Sequence, residues 1–240
     1  MRHGYDMCRR LRTQLLVSPC FLLAVGCGGG HKGTPVVEPE PDGEEMHRFE
    51  NPEEWAKIFD DPARDAWQHP DEIVTLLAPA AGMTVADIGA GTGYFLSRLS
   101  RAVGEGGIVI GTDIEPNMVQ YMTGRAEREA LGNVRPVLAA PDDPTLPAAG
   151  VDRVLVVDVW HHISGDAAAR ITYGKKLAAT LRPGGAVMIV DFTPESAMGP
   201  PKQHRIPAPT VVAELTAAGL VAEIADETLP EQYVVIGRRP

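Results

Sequence analysis

Cysteine is scarce in this chain, and its placement removes several kinds of chemistry from the folded part. The 240 residues contain three cysteines, Cys8, Cys20 and Cys27, all close to the N-terminus. The rest of the sequence has no thiol for a disulfide, a zinc site or a covalent nucleophile. Cysteine usage therefore argues neither for nor against an oxidising compartment.

Positive charge is also scarce. The chain has 22 lysines and arginines against 32 acidic residues, so its formal net charge is -10. Nucleic acid binding needs a basic face, so this balance argues against a nucleic acid substrate, although a local basic cleft would escape the argument. A hydrophobic fraction of 44% is ordinary for a globular protein. The length suits one domain with its own core.

The apolar run near the N-terminus, residues 15–26, is too short to cross a bilayer, which needs roughly 20 apolar residues. It follows Arg9, Arg10 and Arg12 and contains Pro19. This arrangement is typical of a signal peptide rather than a transmembrane helix.

The end of that run, Ala24-Val25-Gly26-Cys27, resembles a bacterial lipobox. The resemblance implies that residues 1–27 are a leader and that a lipidated Cys27 anchors the protein on the periplasmic side of the cell envelope. Ala24 departs from the leucine usual at that position. A cleaved secretory signal, or a cytoplasmic protein whose translation starts near Met46, are the alternatives.

The chain after the leader divides into a linker and one domain. Residues 28–45 are rich in Gly, Pro and Glu and are expected to be disordered. Residues 46–240 are expected to form the domain, with residues 46–80 as a helical N-terminal cap. The aromatic stripe of Trp55 and Phe59 on this cap indicates packing against the sheet or a lid over an active site.

Apolar strands then alternate with helical patterns, which predicts a doubly wound, mostly parallel sheet covered on both faces. The expected strands are 84–88, 108–113, 134–138, 151–157 and 186–191, and the expected helices are 94–103, 116–130 and 166–181. The C-terminal part differs: a helix near 210–218 precedes strands at 221–229 and 232–238, linked by a tight Pro230-Glu231 turn. So short a link requires antiparallel strands, which gives a seven-stranded sheet.

The segment VADIGAGTGYF contains the clearest binding motif. A strand ends near Asp87, and the chain turns through Gly89, Gly91 and Gly93 into a helix. Glycine is needed where φ is positive or where backbone approaches a ligand closely. Such spacing alone indicates only a nucleotide-like ligand. Asp113, at the end of the second strand, is placed to accept both ribose hydroxyls, or to cap the following helix.

Together with LRPGG at residues 181–185, these features resemble the class I S-adenosylmethionine-dependent methyltransferases over residues 73–239. The resemblance implies S-adenosylmethionine as cofactor, Asp87 near the methionine amino group, the three glycines as the ligand loop and Asp113 on the ribose. It also places Asp142 or Asp143 against adenine, with a simple turn as the alternative. The family frequently has a single acid followed by alanine where this chain has PDDP.

The fourth strand ends in VVDVWHHI, which puts polar groups at the carboxyl edge where open α/β sheets bind ligands. Methyl transfer needs alignment, and needs a base only for a protonated acceptor. We expect Asp158 to orient the acceptor, His161 or His162 to accept its proton, and Trp160 to contact it. The alternative is that His162 only fixes the loop.

The connection after Asp191 supplies the remaining acceptor candidates, His204 and Arg205, which would hold a polar or anionic group; the alternative is a surface loop. Asp158, a neighbouring histidine, Asp191 and His204 form a conceivable metal set, but no spacing demands a metal and none is predicted.

The sequence thus predicts an enzyme that transfers a methyl group to a small-molecule acceptor by direct displacement. Because S-adenosylmethionine is made in the cytosol, a periplasmic enzyme would lack an evident supply. The alternative is a catalytically silent lipoprotein that binds an adenosyl ligand or another small molecule. A nicotinamide-dependent oxidoreductase is disfavoured by the antiparallel end of the sheet.

Overall fold

The computed structural model describes residues 51–163 and 166–240. The predicted leader (residues 1–27) and linker (residues 28–45) lie outside these ranges. Within the described part of the chain, no helix is both long and apolar enough to cross a membrane.

A single seven-stranded sheet forms the centre of the domain, in the order β3-β2-β1-β4-β5-β7-β6. The first five strands are parallel, and β7 is antiparallel to both β5 and β6. This confirms the predicted fold class. The strands are β1 (Thr84–Ile88), β2 (Ile108–Asp113), β3 (Val134–Leu138), β4 (Val151–Val157), β5 (Leu181–Phe192), β6 (Val221–Ile224) and β7 (Gln232–Arg238).

Helices cover both faces of the sheet because successive strand residues point to opposite sides. On β4, Leu155 and Val157 face one apolar cluster, whereas Val154 and Val156 face the other. The first cluster includes residues of α3, α4 and α5, and the second residues of α6 and α7. The helices are α1 (Pro52–Phe59), α2 (Asp65–Gln68), α3 (Pro70–Leu77), α4 (Leu96–Val103), α5 (Pro116–Arg128), α6 (Ala167–Thr180) and α7 (Ala208–Ala217).

Two strands, β5 and β6, differ from the prediction in their bounds. β5 begins at Leu181, earlier than the expected residue 186, and its pairing with β4 is irregular between Val151 and Arg153. β6 ends at Ile224, so residues 225–231 replace the expected tight turn, although the antiparallel pairing holds. β6 ends earlier than expected because the connection turns toward α3. Leu229 is buried there, and Thr228 donates its N–H to Glu72 of α3 at 2.7 Å.

The N-terminal cap consists of α1, a 3₁₀ turn at Pro62–Arg64, α2 and α3. His69, with a φ of 46°, separates α2 from α3, and Pro70 starts α3. Proline favours the first helical position because its missing N–H would be unpaired there anyway. The described part of the cap therefore folds as short helical pieces and bends over the edge of the sheet.

Candidate functional site

The turn after β1 needs glycine for two different reasons. Gly89, Gly91 and Gly93 have φ values of 64°, 56° and 86°, a region that L side chains rarely adopt. A Cβ on Gly89 would lie 2.5 Å from Val159 Cγ2, whereas one on Gly91 would meet nothing closer than the Phe59 ring, at 3.5 Å. Gly89 is thus required by packing. At Gly91 the requirement is the positive φ, since a Cβ there would be only in ordinary contact with the Phe59 ring of the cap.

Asp113 is tied directly to this turn. Its Oδ2 accepts the Gly91 N–H and its Oδ1 accepts the Glu115 N–H, both at 2.9 Å. Burial raises the pKa of Asp113, and these two hydrogen bonds act against that rise. Each carboxylate oxygen keeps a lone pair for a ribose hydroxyl. The bond to Glu115, which precedes α5, shows that Asp113 also orders the start of that helix.

Asp87 lies beside the turn at the end of β1 and is 3% exposed. Burial raises its pKa to about 7; Arg64 acts to lower that pKa and Asp113 to raise it further. A buried carboxyl held near its titration point favours a cationic ligand group, since such a group repays the desolvation of the charged form. The amino group that the resemblance places beside Asp87 is such a group, and this role of Asp87 stays a prediction.

Asp142 and Asp143 lie in the turn after β3, facing α6. Their Oδ2 atoms are 3.4 and 3.6 Å from Lys176 Nζ, and the Asp142 side chain is 87% exposed. Asp143 Oδ1 accepts the Thr145 N–H at 2.8 Å. Asp143 thus has the turn role that was the alternative to adenine contact, and the adenine role of either residue stays a prediction.

Asp158, directly after β4, sits in a strained conformation with a φ of 58°. Gln232 donates a side-chain hydrogen bond to Asp158 Oδ1, and Arg64 Nη2 is 3.7 Å from Oδ2. Burial raises the pKa of Asp158 to about 7, with Arg64 lowering it and Asp191 raising it. Asp158 therefore sits at the carboxyl edge as predicted, near its titration point at neutral pH.

His161 is paired with Asp191, at the end of β5. Its Nδ1 lies 2.8 Å from Asp191 Oδ1, and the two side chains are 5% and 2% exposed. Asp191 also accepts the backbone N–H groups of His161 and Phe192. His162 is exposed and its ring lies 4.1 Å from that of His161. The described residues contain no cluster of three or more His, Cys, Asp or Glu suited to a metal ion.

Two residues that were predicted to contact the methyl acceptor have structural roles instead. Trp160 is fully buried on the α6 and α7 side of the sheet, where its indole N–H donates to Glu214 at 2.8 Å. Arg205 donates to the carbonyls of Pro200, Ser196 and Met198 and so folds the loop after β5. We therefore assign Trp160 to packing and Arg205 to loop folding, in place of acceptor binding.

His204, the third predicted acceptor residue, ends a 3₁₀ turn at Lys202–His204 and is exposed. Its predicted contact with an acceptor stays a prediction.

Sequence reasoning missed three buried polar residues that form a hydrogen-bonded chain ending at Asp158. Arg64 Nε donates to Gln68 Oε1 at 2.8 Å, Gln68 donates to Gln232, and Gln232 donates to Asp158. Gln68 and Gln232 are 0% and 1% exposed. The i,i+4 spacing of Arg64 and Gln68 was the only local signal, and it gave no hint of the distant partners.

Ion pairs fasten the cap on both sides of the glycine turn. Asp60, after α1, accepts hydrogen bonds from Arg125 Nη1 at 2.7 Å and from the Thr92 hydroxyl at 3.1 Å. Asp65 of α2 is paired with Arg98 Nη2 at 2.9 Å and accepts the Tyr94 hydroxyl. The cap thus covers the turn through specific polar contacts as well as through its aromatic side chains.

A glycine turn and buried carboxylates at the carboxyl edge of a parallel sheet, with β7 antiparallel, define a nucleoside-binding α/β protein with the class I methyltransferase architecture. Residues 85–185 match the model of a family described as a methyltransferase domain. The described domain has the fold of the S-adenosylmethionine-dependent methyltransferases, and the matched segment holds the glycine turn, Asp87 and Asp113. S-adenosylmethionine is the methyl donor of such methyltransferases, and the positive-φ glycine turn and the acids Asp87 and Asp113 fit it.

Similar proteins agree with this assignment. An uncharacterised methyltransferase of Mycobacterium tuberculosis is 34% identical over 131 residues, 55% of this chain and 49% of the relative. Nocamycin O-methyltransferase of Saccharothrix syringae is 31% identical over 133 residues, 53% of this chain and 46% of the relative. The chain therefore spans about half the length of these relatives.

Among solved structures, a SAM-dependent methyltransferase from Aquifex aeolicus superposes with a TM-score of 0.71 at 26% identity, covering 79% of this chain and 99% of that one.

Proposed function

We propose that the protein transfers the methyl group of S-adenosylmethionine to a small-molecule acceptor. The observation that carries the proposal is the bond from Gly91 N–H to Asp113, which fixes this carboxylate against the glycine turn. The bound donor supplies a methyl group activated by its sulfonium. Asp113 would hold the ribose hydroxyls, and Asp87 would hold the amino group.

In this proposal Asp158 orients the acceptor at the carboxyl edge. Its carboxyl, with a pKa of about 7, is suited to take a proton from an acceptor hydroxyl or amine near neutral pH. Asp191 fixes the orientation of His161 through Nδ1, which makes His161 the second candidate for that proton. Removing either group is expected to slow transfer while leaving donor binding in place.

Calorimetry with S-adenosylmethionine and S-adenosylhomocysteine tests the proposal directly. We expect the full chain to bind both, and the variant Asp113→Ala to bind both much more weakly. Donor carrying a labelled methyl group, incubated with fractionated small molecules, should then transfer its label to one fraction. Failure of the wild-type chain to bind either compound would overturn the proposal.

The second candidate function is a silent adenosyl-binding protein. It is favoured by the contacts of Asp158, whose oxygens already face Gln232 and Arg64 under the cap. Binding of S-adenosylhomocysteine without label transfer to any fraction, under conditions where the donor also binds, would favour this candidate over the enzyme.

We further propose that Cys27 is lipidated and holds the protein at the periplasmic face of a bacterial membrane. The support is the small-residue sequence before Cys27 and the apolar run preceding it. Mass spectrometry of the mature N-terminus is the test. A lipidated cysteine is expected, whereas a mature protein that begins at Met46 would place the enzyme with the cytosolic donor supply.

A further inference from the structure

The hydrogen-bonded chain that ends at Asp158 crosses two buried amides. Arg64 Nε donates to Gln68 Oε1 at 2.8 Å, and Gln68 Nε2 donates to Gln232 Oε1. Gln232 Nε2 then donates to Asp158 Oδ1. Gln68 and Gln232 are 0% and 1% exposed, so water cannot replace either amide as a partner.

The chemistry of the two ends dictates the direction of this chain. A guanidinium has only donors, so the Gln68 amide must turn its oxygen to Arg64 and its NH₂ group to Gln232. Gln232 meets that NH₂ group with its oxygen, which leaves its own NH₂ group for Asp158 Oδ1. A protonated Oδ1 would place its hydrogen against this donor. The chain therefore keeps Oδ1 of Asp158 unprotonated.

The other oxygen of Asp158 is not held in this way. Within residues 51–163 and 166–240, no hydrogen bond reaches Oδ2, and Arg64 Nη2 is 3.7 Å from it. The Asp158 side chain is 23% exposed, although the two amides behind it are buried. The carboxyl group is thus bound from inside the protein through one oxygen and accessible at the carboxyl edge of the sheet.

We propose that Gln232, oriented by Gln68, is a positioning residue that reserves Asp158 Oδ2 for the methyl acceptor. This inference rests on the proposed function, in which Asp158 takes the acceptor's proton. That proton moves to Oδ2, and the electron pair left on the acceptor forms the bond to the donor's methyl carbon while the carbon–sulfur bond breaks toward sulfur. The bond between Gln232 and Oδ1 holds the plane of the carboxyl group in one orientation, as this alignment requires.

The same contact affects how Asp158 titrates. Burial raises the pKa of Asp158 to about 7, and the hydrogen bond from Gln232 opposes this rise because it favours the charged carboxylate. Removal of the Gln232 donor should therefore raise the pKa of Asp158 further. The other charged or titratable groups that interact with Asp158 come from the cap, the turn after β4, β5 and β7: Arg64, His161, Asp191 and Tyr233.

Carbon-13 NMR of the full chain, labelled at the aspartate carboxyl groups, tests the inference without donor or acceptor. The Asp158 signal is identified by its loss in Asp158→Asn. In the wild type, the side-chain N–H signals of Gln232 should shift with the same midpoint as the Asp158 carboxyl. Gln232→Met should raise the Asp158 midpoint by about one pH unit, the usual effect of losing a hydrogen bond to a charged group. Gln68→Met, which leaves Gln232 free to turn, should raise that midpoint by a smaller amount.

Asn133→Leu is the matched control, because it removes an amide that bridges Ser100 and Gly104 before β3, at the opposite edge of the sheet. This variant should leave the Asp158 midpoint unchanged. An Asp158 midpoint that moves in neither glutamine variant would overturn the inference. Gln232 signals that do not follow the titration of Asp158 would overturn it as well.

The pH dependence of methyl transfer connects this pairing to the reaction. The rate of label transfer should rise with pH along the titration of Asp158, since only the carboxylate can take a proton. In Gln232→Met this rise should move to higher pH by the same amount as the NMR midpoint, while S-adenosylhomocysteine affinity changes less than about twofold. A pH profile that stays in place would contradict the positioning role. A wild-type chain in which Asp158 and Gln232 titrate together but no label is transferred would instead overturn the proposed function, and with it the role of Oδ2.

Discussion

Asp113 and Gly91 are joined by a hydrogen bond of 2.9 Å from the Gly91 N–H to Asp113 Oδ2, which ties the end of β2 to the turn after β1. The bond orders the glycine turn. In the proposed function the same carboxylate also holds the ribose, through its remaining lone pairs.

Asp113→Ala should therefore weaken S-adenosylhomocysteine and 5′-methylthioadenosine alike, by about 10- to 100-fold, because both carry the ribose and both need an ordered turn. Titration calorimetry measures this, with the exposed Glu105→Ala as control. A loss confined to S-adenosylhomocysteine would place Asp113 at the amino acid end and contradict the assignment.

Alanine at Gly89 and at Gly91 should have different consequences. Gly89→Ala combines a positive φ with a Cβ 2.5 Å from Val159, so we expect a loss of about 2–4 kcal/mol of stability, partly recovered by adding Val159→Ala. Gly91→Ala should cost only about 1 kcal/mol and should mainly lower ligand affinity. Urea unfolding distinguishes the two; equal destabilisation would show that the contact with Val159 is unimportant.

The buried carboxyl of Asp87 should make stability depend on pH. Its pKa is about 7 in the folded protein against an ordinary 3.8, so the folded state holds a proton that the unfolded chain releases between those values. Its contribution to stability is thus present below about pH 4 and is lost as the pH rises toward 7.

Asp87→Asn removes the titrating carboxyl, so the difference in unfolding free energy between the variant and wild type should grow in favour of the variant from about pH 4 to 7 and level off above that. Urea unfolding at several pH values checks the trend, with Glu105→Gln as control. A difference that does not change with pH would refute the raised pKa of Asp87.

The pairing of Asp191 with His161 should be worth more to stability than an exposed ion pair. Asp191→Ala leaves the His161 ring and two backbone N–H groups without their acceptor in a buried place, so we expect a loss of about 2–4 kcal/mol. Asp142→Ala, at an 87% exposed side chain, should change stability by less than about 0.5 kcal/mol. Similar losses in both variants would contradict the pairing.

The sequence predicted the sheet well, because buried parallel strands are nearly continuous apolar runs. Strands β1 to β4 begin and end at the predicted residues. The prediction failed at the connection between β6 and β7. Leu229 continues the apolar pattern of the expected strand, but it is buried in the apolar cluster that includes residues of α3, not by strand pairing. Local pattern does not distinguish a residue buried by pairing from one buried by a neighbouring helix.

The glycine turn was also predictable from local sequence, because its three glycines are close together and their spacing indicates a turn between a strand and a helix. The polar residues around Asp158 were not. Gln68 and Gln232 are 164 positions apart, and Gln232 and Asp158 are 74 apart. Such contacts depend on where the cap settles on the finished sheet, and nothing near either glutamine specifies that. Trp160 shows the converse, since its place beside two histidines suggested a pocket and its indole packs in the core.

The way the cap attaches has a consequence for how proteins of this shape diversify. Asp60, Arg64, Asp65 and Gln68 join it to the rest of the domain through groups that water solvates readily when they separate. Ile73 and Leu77 of α3, in contrast, are buried in the core cluster. Exchange of the segment before α3 would therefore separate mainly these polar groups, whereas loss of α3 would open the core.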